Sequence, residues 1–337
     1  MSREHLAVPV PRRQAQGTLQ LALELGLLDR RRKTVSKGGW VEIPVTSPLP
    51  GREVVLQEDP EFYETSPDLA ALFGDEISAE ERRLLPQGWS ILGNVIAVKI
   101  DPRIDHLKGR IGDALLEIYP RCRSVLLDRG VAGPFREPER ELIAGDLRTE
   151  TVHREDGVVF KLDPMRVMFS PGNMRERMRM GRLGSGETVV DMFAGIGYFT
   201  LPMAVHSRPK RIFAIEINPV AYGYLVENLQ LNGVDGIVVP LHGDCAALTP
   251  EGVADRVVMG YVGTTDRYLD AGIAALRTGG VLHYHQTVPE KLYPRKLEED
   301  LAEAAERAGR SAQIERVDRV KKYSPGMLHA VIDARVD

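Results

Sequence analysis

The segment Val189-Val190-Asp191-Met192-Phe193-Ala194-Gly195-Ile196-Gly197-Tyr198-Phe199 constrains the fold more than any other. An apolar strand ends at an acid, two glycines follow with one residue between them, and a helix is expected to begin. Glycine suits such a loop because the backbone there takes torsions a side chain would forbid and comes close to a ligand. From Asn173 onward strands alternate with helices, the pattern of βαβ units on a parallel sheet. Strands are predicted at Thr188–Asp191, Arg211–Ile217, Ile237–Leu241, Asp255–Gly260 and Gly280–His285. Helices are predicted near Tyr198–Val205, Pro219–Asn232, Thr264–Leu276 and Pro289–Ala308. Gln313–Val320 and Met327–Ala334, with Ser324-Pro325-Gly326 between them, read as a hairpin closing the sheet. The third glycine of a dinucleotide fingerprint is absent, so the loop is not expected to cradle a pyrophosphate.

Two smaller units are predicted ahead of this one. Residues 1–88 form a small N-terminal domain and connector. Leu, Ala, Glu and Gln favour a helix over Ala15–Leu28, although its leucines also alternate like a strand. Val41–Thr46 alternates as a strand, and residues 52–88 read as a connector with short helices, punctuated by Pro60, Pro67 and Pro86. Residues 89–172 read as an α+β domain. It holds a strand over Ile91–Ile100, a helix over His106–Tyr119, and strands at Ser124–Leu127, Glu141–Ala144, Thr149–Arg154 and Val158–Leu162. Glu155-Asp156-Gly157 suits a hairpin turn between the last two. Residues 173–337 are predicted to form the third domain, the strand-and-helix unit.

Composition bounds the partners. No apolar run in the 337 residues approaches the ~20 that a membrane-spanning helix needs. The charged start, Met1 to His5, is not that of a signal peptide. Two distant cysteines, Cys122 and Cys245, argue against a disulfide framework and for a reducing cytoplasm. They also give no zinc-ligand spacing, so no metal is expected. Cys122, between two arginines, is read as structural. The net charge of −4 gives no global sign of nucleic acid, yet local basic clusters at Arg12-Arg13, Arg30 to Lys33 and Arg175 to Arg182 suit either a solvated surface or a phosphate backbone.

Three acids carry the ligand chemistry. Asp191 ends the first strand of the third domain, Glu216 the second, and Asp244 follows the third. Carboxylates there line the crevice where doubly wound sheets bind ligands, and Glu216 can accept both hydroxyls of a ribose. Asp244 is placed to receive an adenine amino group. The plainer reading is three solvated loop acids. Ser170, Asn173 and Glu176 precede the domain at positions where helix caps are expected, and capping alone would explain them.

The glycine loop resembles the first motif of class I methyltransferases, which implies a Rossmann-like S-adenosylmethionine domain. The run Phe169-Ser170-Pro171-Gly172-Asn173, then Glu176-Arg177, followed by the loop at 191–197, resembles the enzymes that modify the purine 3′ to the tRNA anticodon. That group includes guanosine-37 N1-methyltransferases and the aminocarboxypropyl transferases of wybutosine synthesis. Gly172-Asn173 and Met259 to Thr264 resemble the transferases, since the methyltransferases carry an arginine with an apolar residue and an Asn-Leu-Pro-type motif at those places. His283-Tyr284-His285-Gln286-Thr287 resembles both, with core roles expected for the two histidines. Thr149 to Gly157 resembles a hairpin of the middle domain in both groups.

The resemblance implies transfer of the 3-amino-3-carboxypropyl group to C7 of 4-demethylwyosine at position 37 of tRNA(Phe), with 5′-methylthioadenosine released. The expected donor site comprises Ser170, Arg177, Asp191, Phe193, Ala194, Gly195, Gly197, Glu216, Ile217, Asp244 and Cys245. Glu176 and Asn173 are the catalytic candidates, Glu176 as proton acceptor. RNA contacts are expected from Arg136, Arg140, Arg175, Arg179, Lys321, Lys322 and Tyr323, with Tyr198 and Tyr261 able to stack on a base. The competing readings are methyl transfer at the same position and a tRNA-binding factor that holds the donor only as a ligand.

Overall fold

The structure, a computed structural model, describes residues 5–62, 69–133 and 135–337. The expected break at Pro67 and the charged start Met1 to Glu4 lie outside the described residues. The chain divides into two compact units, Met1–Gly74 and Asp75–Asp337.

The first unit holds a four-stranded sheet in the order β2-β3-β1-β4. Its elements are β1 (Leu6–Pro11), α1 (Ala15–Glu24), β2 (Val35–Lys37), β3 (Trp40–Pro44), β4 (Val55–Leu56) and α2 (Leu69–Phe73). The helix predicted over Ala15–Leu28 forms but is shorter. β1 was not foreseen, because Pro9 and Pro11 argue against a strand that pairs on both sides. It pairs with β3 from Ala7 to Pro11 and with β4 only at Leu6 and Ala7, ahead of both prolines.

The second unit begins with α3 (Ala79–Leu84), started by a capping box between Ser78 and Glu81. A four-stranded sheet follows, in the order β5 (Trp89–Leu92), β6 (Val95–Val98), β7 (Ser124–Ala132) and β8 (Glu137–Gly145). Helix α4 (Lys108–Ile118) crosses between the parallel strands β6 and β7. The single strand expected over Ile91–Ile100 is instead a hairpin, with Leu92 opposite Val95. Gly93, at φ +58°, and Asn94 make the turn, a two-residue hairpin signal that the apolar residues on either side had masked.

Hairpin β9 (Thr151–Glu155) and β10 (Val158–Leu162) follows, turning at Asp156-Gly157 as expected. After α5 (Met174–Met180) comes a seven-stranded sheet. Its parallel strands are β11 (Thr188–Asp191), β12 (Arg211–Glu216), β13 (Val238–His242), β14 (Ala254–Met259) and β15 (Leu276–Pro289). Its helices are α6 (Thr200–Pro202), α7 (Pro219–Leu231), α8 (Cys245–Leu248), α9 (Leu269–Ala275) and α10 (Arg295–Arg307). Strands β16 (Ala312–Ser324) and β17 (Met327–Val336) complete it antiparallel, β17 lying between β15 and β16. This is the mostly parallel sheet closed by a hairpin that the sequence implies. The helix expected over Tyr198–Val205 is instead the short α6, running through Pro202 into a π turn at Met203–Ser207. The last helix starts at Arg295, after Pro294, rather than at Pro289.

Alternation along each strand sends neighbours to opposite faces. Val189, Ile212 and Val258 join one apolar layer with α7 and β10, while Val190, Ile215 and Val257 join the other with α9 and α10. Two asparagines dock the hairpin onto α7. Asn232 exchanges hydrogen bonds with the backbone N–H and C=O of Val159 at 2.9 and 2.7 Å. Asn228 does the same with Lys161 at 2.7 and 3.1 Å. Side chains one helical turn apart thus replace a neighbouring strand along β10. Among the described residues, no helix is long and apolar enough to cross a membrane.

Candidate functional site

A cavity of about 440 Å³ opens at the carboxyl ends of β11, β12 and β14, the place where a doubly wound sheet receives its ligand. Three loops build its floor. After β11, Phe193 and Gly195 reach the wall; at the end of β12, Glu216, with Ile217 and Asn218 after it; after β14, Gly260, Tyr261 and Val262.

Glu216 is the best-defined polar group. Its Oε2 accepts from the Gly195 N–H at 2.7 Å, and its Oε1 from the Asn218 N–H at 2.7 Å. Burial raises its pKa, opposed by those backbone hydrogen bonds. Each oxygen keeps a lone pair for a ligand hydroxyl. Gly195 has to be glycine. It sits at φ +57°, and a Cβ there would stand 2.3 Å from the Tyr198 ring.

An aromatic wall faces this floor. Phe193 stacks on Tyr261 at 5.3 Å between centroids and meets Tyr268 edge-on at 5.2 Å. Arg136 lies 5.9 Å from the Tyr261 ring centre and donates to the Val262 carbonyl at 3.2 Å.

Ser170, Asn173 and Arg177 also line the cavity. None of the expected caps forms: neither Ser170 nor Asn173 makes a side-chain capping bond. The Asn173 Oδ1 is buried and has no hydrogen-bond partner, in a residue that lines the cavity. Arg177 is spent elsewhere. Its guanidinium grips Glu155 at 2.6 and 2.7 Å, donates to the Ser170 carbonyl at 2.9 Å and lies over the Phe169 ring. Despite burial, the Arg177 guanidinium and the nearby His153 hold the Glu155 carboxyl at about 2. Arg177 thus fixes the Ser170 loop more than it offers a charge to a ligand.

Several expected site residues lie behind the wall. Asp191 is buried, accepting from Thr200 Oγ1 at 2.7 Å and the Phe193 N–H at 3.3 Å, and burial raises its pKa to about 6. It shapes the loop from beneath. Ala194 is fully buried, and Gly197 packs on Leu201, where a Cβ would meet Cγ at 2.6 Å. Asp244 caps α8 through the Ala246 N–H at 2.9 Å. Cys245 is buried behind it, its thiol pushed up to about 12. Burial likewise raises Cys122, in keeping with a structural cysteine.

Glu176 is not on the wall. Arg179 holds both its oxygens at 2.6 and 2.9 Å and reaches Asp333 at 2.6 Å. Asp333 in turn accepts from His283 at 2.6 Å. Arg179 is therefore a partly buried clasp between α5 and β17, its guanidinium taken up by Glu176 and Asp333. His285 stacks on Phe199 and meets His329 at 3.2 Å, the core role expected of it, while His283 is buried in the Arg179 clasp. Arg140, expected at the RNA, donates to the Pro164 carbonyl at 2.6 Å. Arg175, Lys322 and Tyr323 are exposed. Lys321 instead turns into the cavity, beside His329. His329, Tyr268 and Phe199 were missed in the sequence, because lone aromatic and histidine positions carry no spacing signal there.

Comparison with known proteins places these observations. A family model described as the TRM5/TYW2 methyltransferase domain matches residues 151–314. Models for a TYW2 N-terminal domain and a tRNA methyltransferase 5 N-terminal domain match residues 69–149 and 7–53. A tRNA(Phe) (4-demethylwyosine(37)-C(7)) aminocarboxypropyltransferase of Methanocaldococcus jannaschii is 42% identical over 250 residues, 73% of this chain and 96% of that one. A tRNA (guanine(37)-N(1))-methyltransferase, Trm5b, of Pyrococcus abyssi is 34% identical over 98% of this chain and 99% of its own. The crystal structure of P. horikoshii TYW2 in complex with MeSAdo superposes with a TM-score of 0.71 at 35% identity, over 80% of this chain and 98% of that one.

Proposed function

The chain belongs to the TRM5/TYW2 family, and on that footing we propose that it transfers the 3-amino-3-carboxypropyl group of S-adenosylmethionine to C7 of 4-demethylwyosine at position 37 of tRNA(Phe). The observation that carries this reading is the doubly anchored Glu216 at the floor of a cavity also lined by Asn173 and Gly260. The cavity suits the donor in shape and polarity. Glu216 holds two lone pairs ready for ribose hydroxyls, the loop at Gly195 leaves room that a Cβ would fill, and the orphaned Asn173 Oδ1 awaits a donor N–H. S-Adenosylmethionine supplies a sulfonium with several electrophilic carbons, so the protein chooses among them by position alone.

The chain's residues then divide the work. Glu216 orients the nucleoside end, Phe193 and Tyr261 give flat apolar surfaces for an adenine or a substrate base, and Arg177 with Glu155 keeps the Ser170 loop rigid. Asp244 and Cys245 stand beyond the cavity wall at the end of β13 and are assigned to the adenine edge, Asp244 through the oxygen its cap leaves free. Both oxygens of Glu176 are held by Arg179, so no proton transfer is assigned to it. Residues 89–172 are assigned to tRNA recognition and 173–337 to catalysis. The exposed Arg175 and Lys322 are assigned to the RNA backbone.

Methyl transfer to guanosine 37 is the second reading, favoured by the nearly full-length match to Trm5b. Gly172-Asn173 and Met259 to Thr264 argue for aminocarboxypropyl transfer, and Asn173, Gly260 and Tyr261 line the cavity itself. Chromatography of the spent nucleoside after reaction with tRNA carrying 4-demethylwyosine decides between them. The expected product is 5′-methylthioadenosine; S-adenosylhomocysteine alone establishes the methyltransferase.

A further inference from the structure

Several lysines of this chain close on a carboxylate, whereas Lys321 in the cavity meets a hydroxyl. Lys108 meets Glu141 at 2.6 Å, Lys161 meets Glu227 at 2.7 Å, and Lys296 meets Asp300 at 2.5 Å. Lys321 lines the cavity and donates from Nζ to Ser170 Oγ at 2.7 Å. No carboxylate favours its charge among the described residues, while burial and the nearby Arg177 and Arg136 all lower its pKa. A desolvated ammonium without an anion is unfavourable unless a ligand brings one.

The surroundings give that anion a place. Arg177 is neutralised by Glu155, whereas Lys321 meets a hydroxyl and Arg136 a backbone carbonyl, and the exposed Arg267 completes the cations of the lining. The negative group on the wall is Glu216, the last residue of β12. The cavity therefore has an acidic pole for hydroxyls and a basic pole for a carboxylate.

We propose that Lys321, together with Ser170, binds the α-carboxylate of the donor's amino-acid arm, and so fixes the direction of the group to be transferred. This rests on the donor site proposed above. A tRNA phosphate is the other anion on offer, but strand alternation points against it. Lys321 faces inward and is half-buried, whereas Lys322 faces outward and is exposed.

Calorimetry on the full chain tests the assignment with three probes: S-adenosylmethionine, its decarboxylated form and 5′-methylthioadenosine. In Lys321→Met, affinity for S-adenosylmethionine should fall at least about tenfold, the scale of one charge-assisted hydrogen bond. Affinity for the two probes lacking the carboxylate should stay within about twofold of wild type, which also shows that the variant folds. Lys321→Arg should recover part of the loss. Equal losses for all three probes would mean that Lys321 only shapes the cavity, and would overturn the proposal. Unchanged donor affinities with weaker tRNA binding and a shallower salt dependence would also overturn it, in favour of a phosphate contact. Wild-type protein that binds none of the probes would remove the donor site itself, a failure separate from that of Lys321.

Discussion

Glu216 concentrates the donor site in one carboxylate, whose geometry is set by two backbone N–H groups from different loops. Glu216→Gln keeps the shape and removes the charge. Donor affinity should fall by about 1.5–3 kcal/mol, the range for a hydrogen bond to a charged group, and calorimetry that finds it unchanged in a folded variant removes Glu216 from the site. The paired His285 and His329 predict an acid sensitivity. Burial, first of all, lowers each from 6.5 to about 3. Glu176 lies 3.6 Å from the His285 Nε2, with Arg179 and Asp333 behind it and Lys321 and Arg136 on the side of His329. The unfolded chain therefore takes up protons before the folded one as pH falls. The contribution is full above about 6.5 and is lost progressively towards about 3. Asp191, raised to about 6, works in the opposite sense, so the difference between variant and wild type is the quantity to read. Melting temperature should drop between about pH 7 and 5 more steeply in wild type than in His329→Gln. Parallel curves would show that this histidine does not titrate on unfolding.

Among the elements, the α7 surface that receives β10 invites a direct test. Asn228→Ala would leave the N–H and C=O of Lys161 without partners, and Asn232→Ala those of Val159. Each should lower stability by about 1–3 kcal/mol in chemical denaturation, with faster hydrogen exchange confined to β10 and its neighbours. Global exchange without local loosening would count against this docking. The same elements show how far the sequence could be read. Asp191 and the two glycines locate the sheet's first strand and loop, because a βαβ turn admits few residue types, and Pro219 after Asn218 marks α7 through its cap. Turn chemistry inside an apolar run was harder, so Gly93-Asn94 passed as part of one strand. At the site, Glu216, Ser170 and Asn173 were legible. The inward turn of Lys321 and the sealing of Glu176 by Arg179 were not, since each depends on register with the distant β16 or β17.

At the scale of the whole molecule, the cavity belongs to one unit. Its lining runs from Phe135 to His329, all within Asp75–Asp337. A chain of residues 75–337 should therefore keep its donor affinity within about twofold; a large loss by calorimetry would show that the first unit takes part in donor binding. The strand order has a further consequence in time. Because β17 is the last strand in sequence yet sits inside the sheet, β16 has nothing to pair with until β17 slides in beside β15. A ribosome delivers the chain from its N-terminus, so the glycine loop and Glu216 emerge long before the strand that brings His329 and sets Lys321 in place. The nascent chain can assemble the acidic end of its pocket early, but it stays blind to a bipolar ligand until the ten residues of β17 are threaded home.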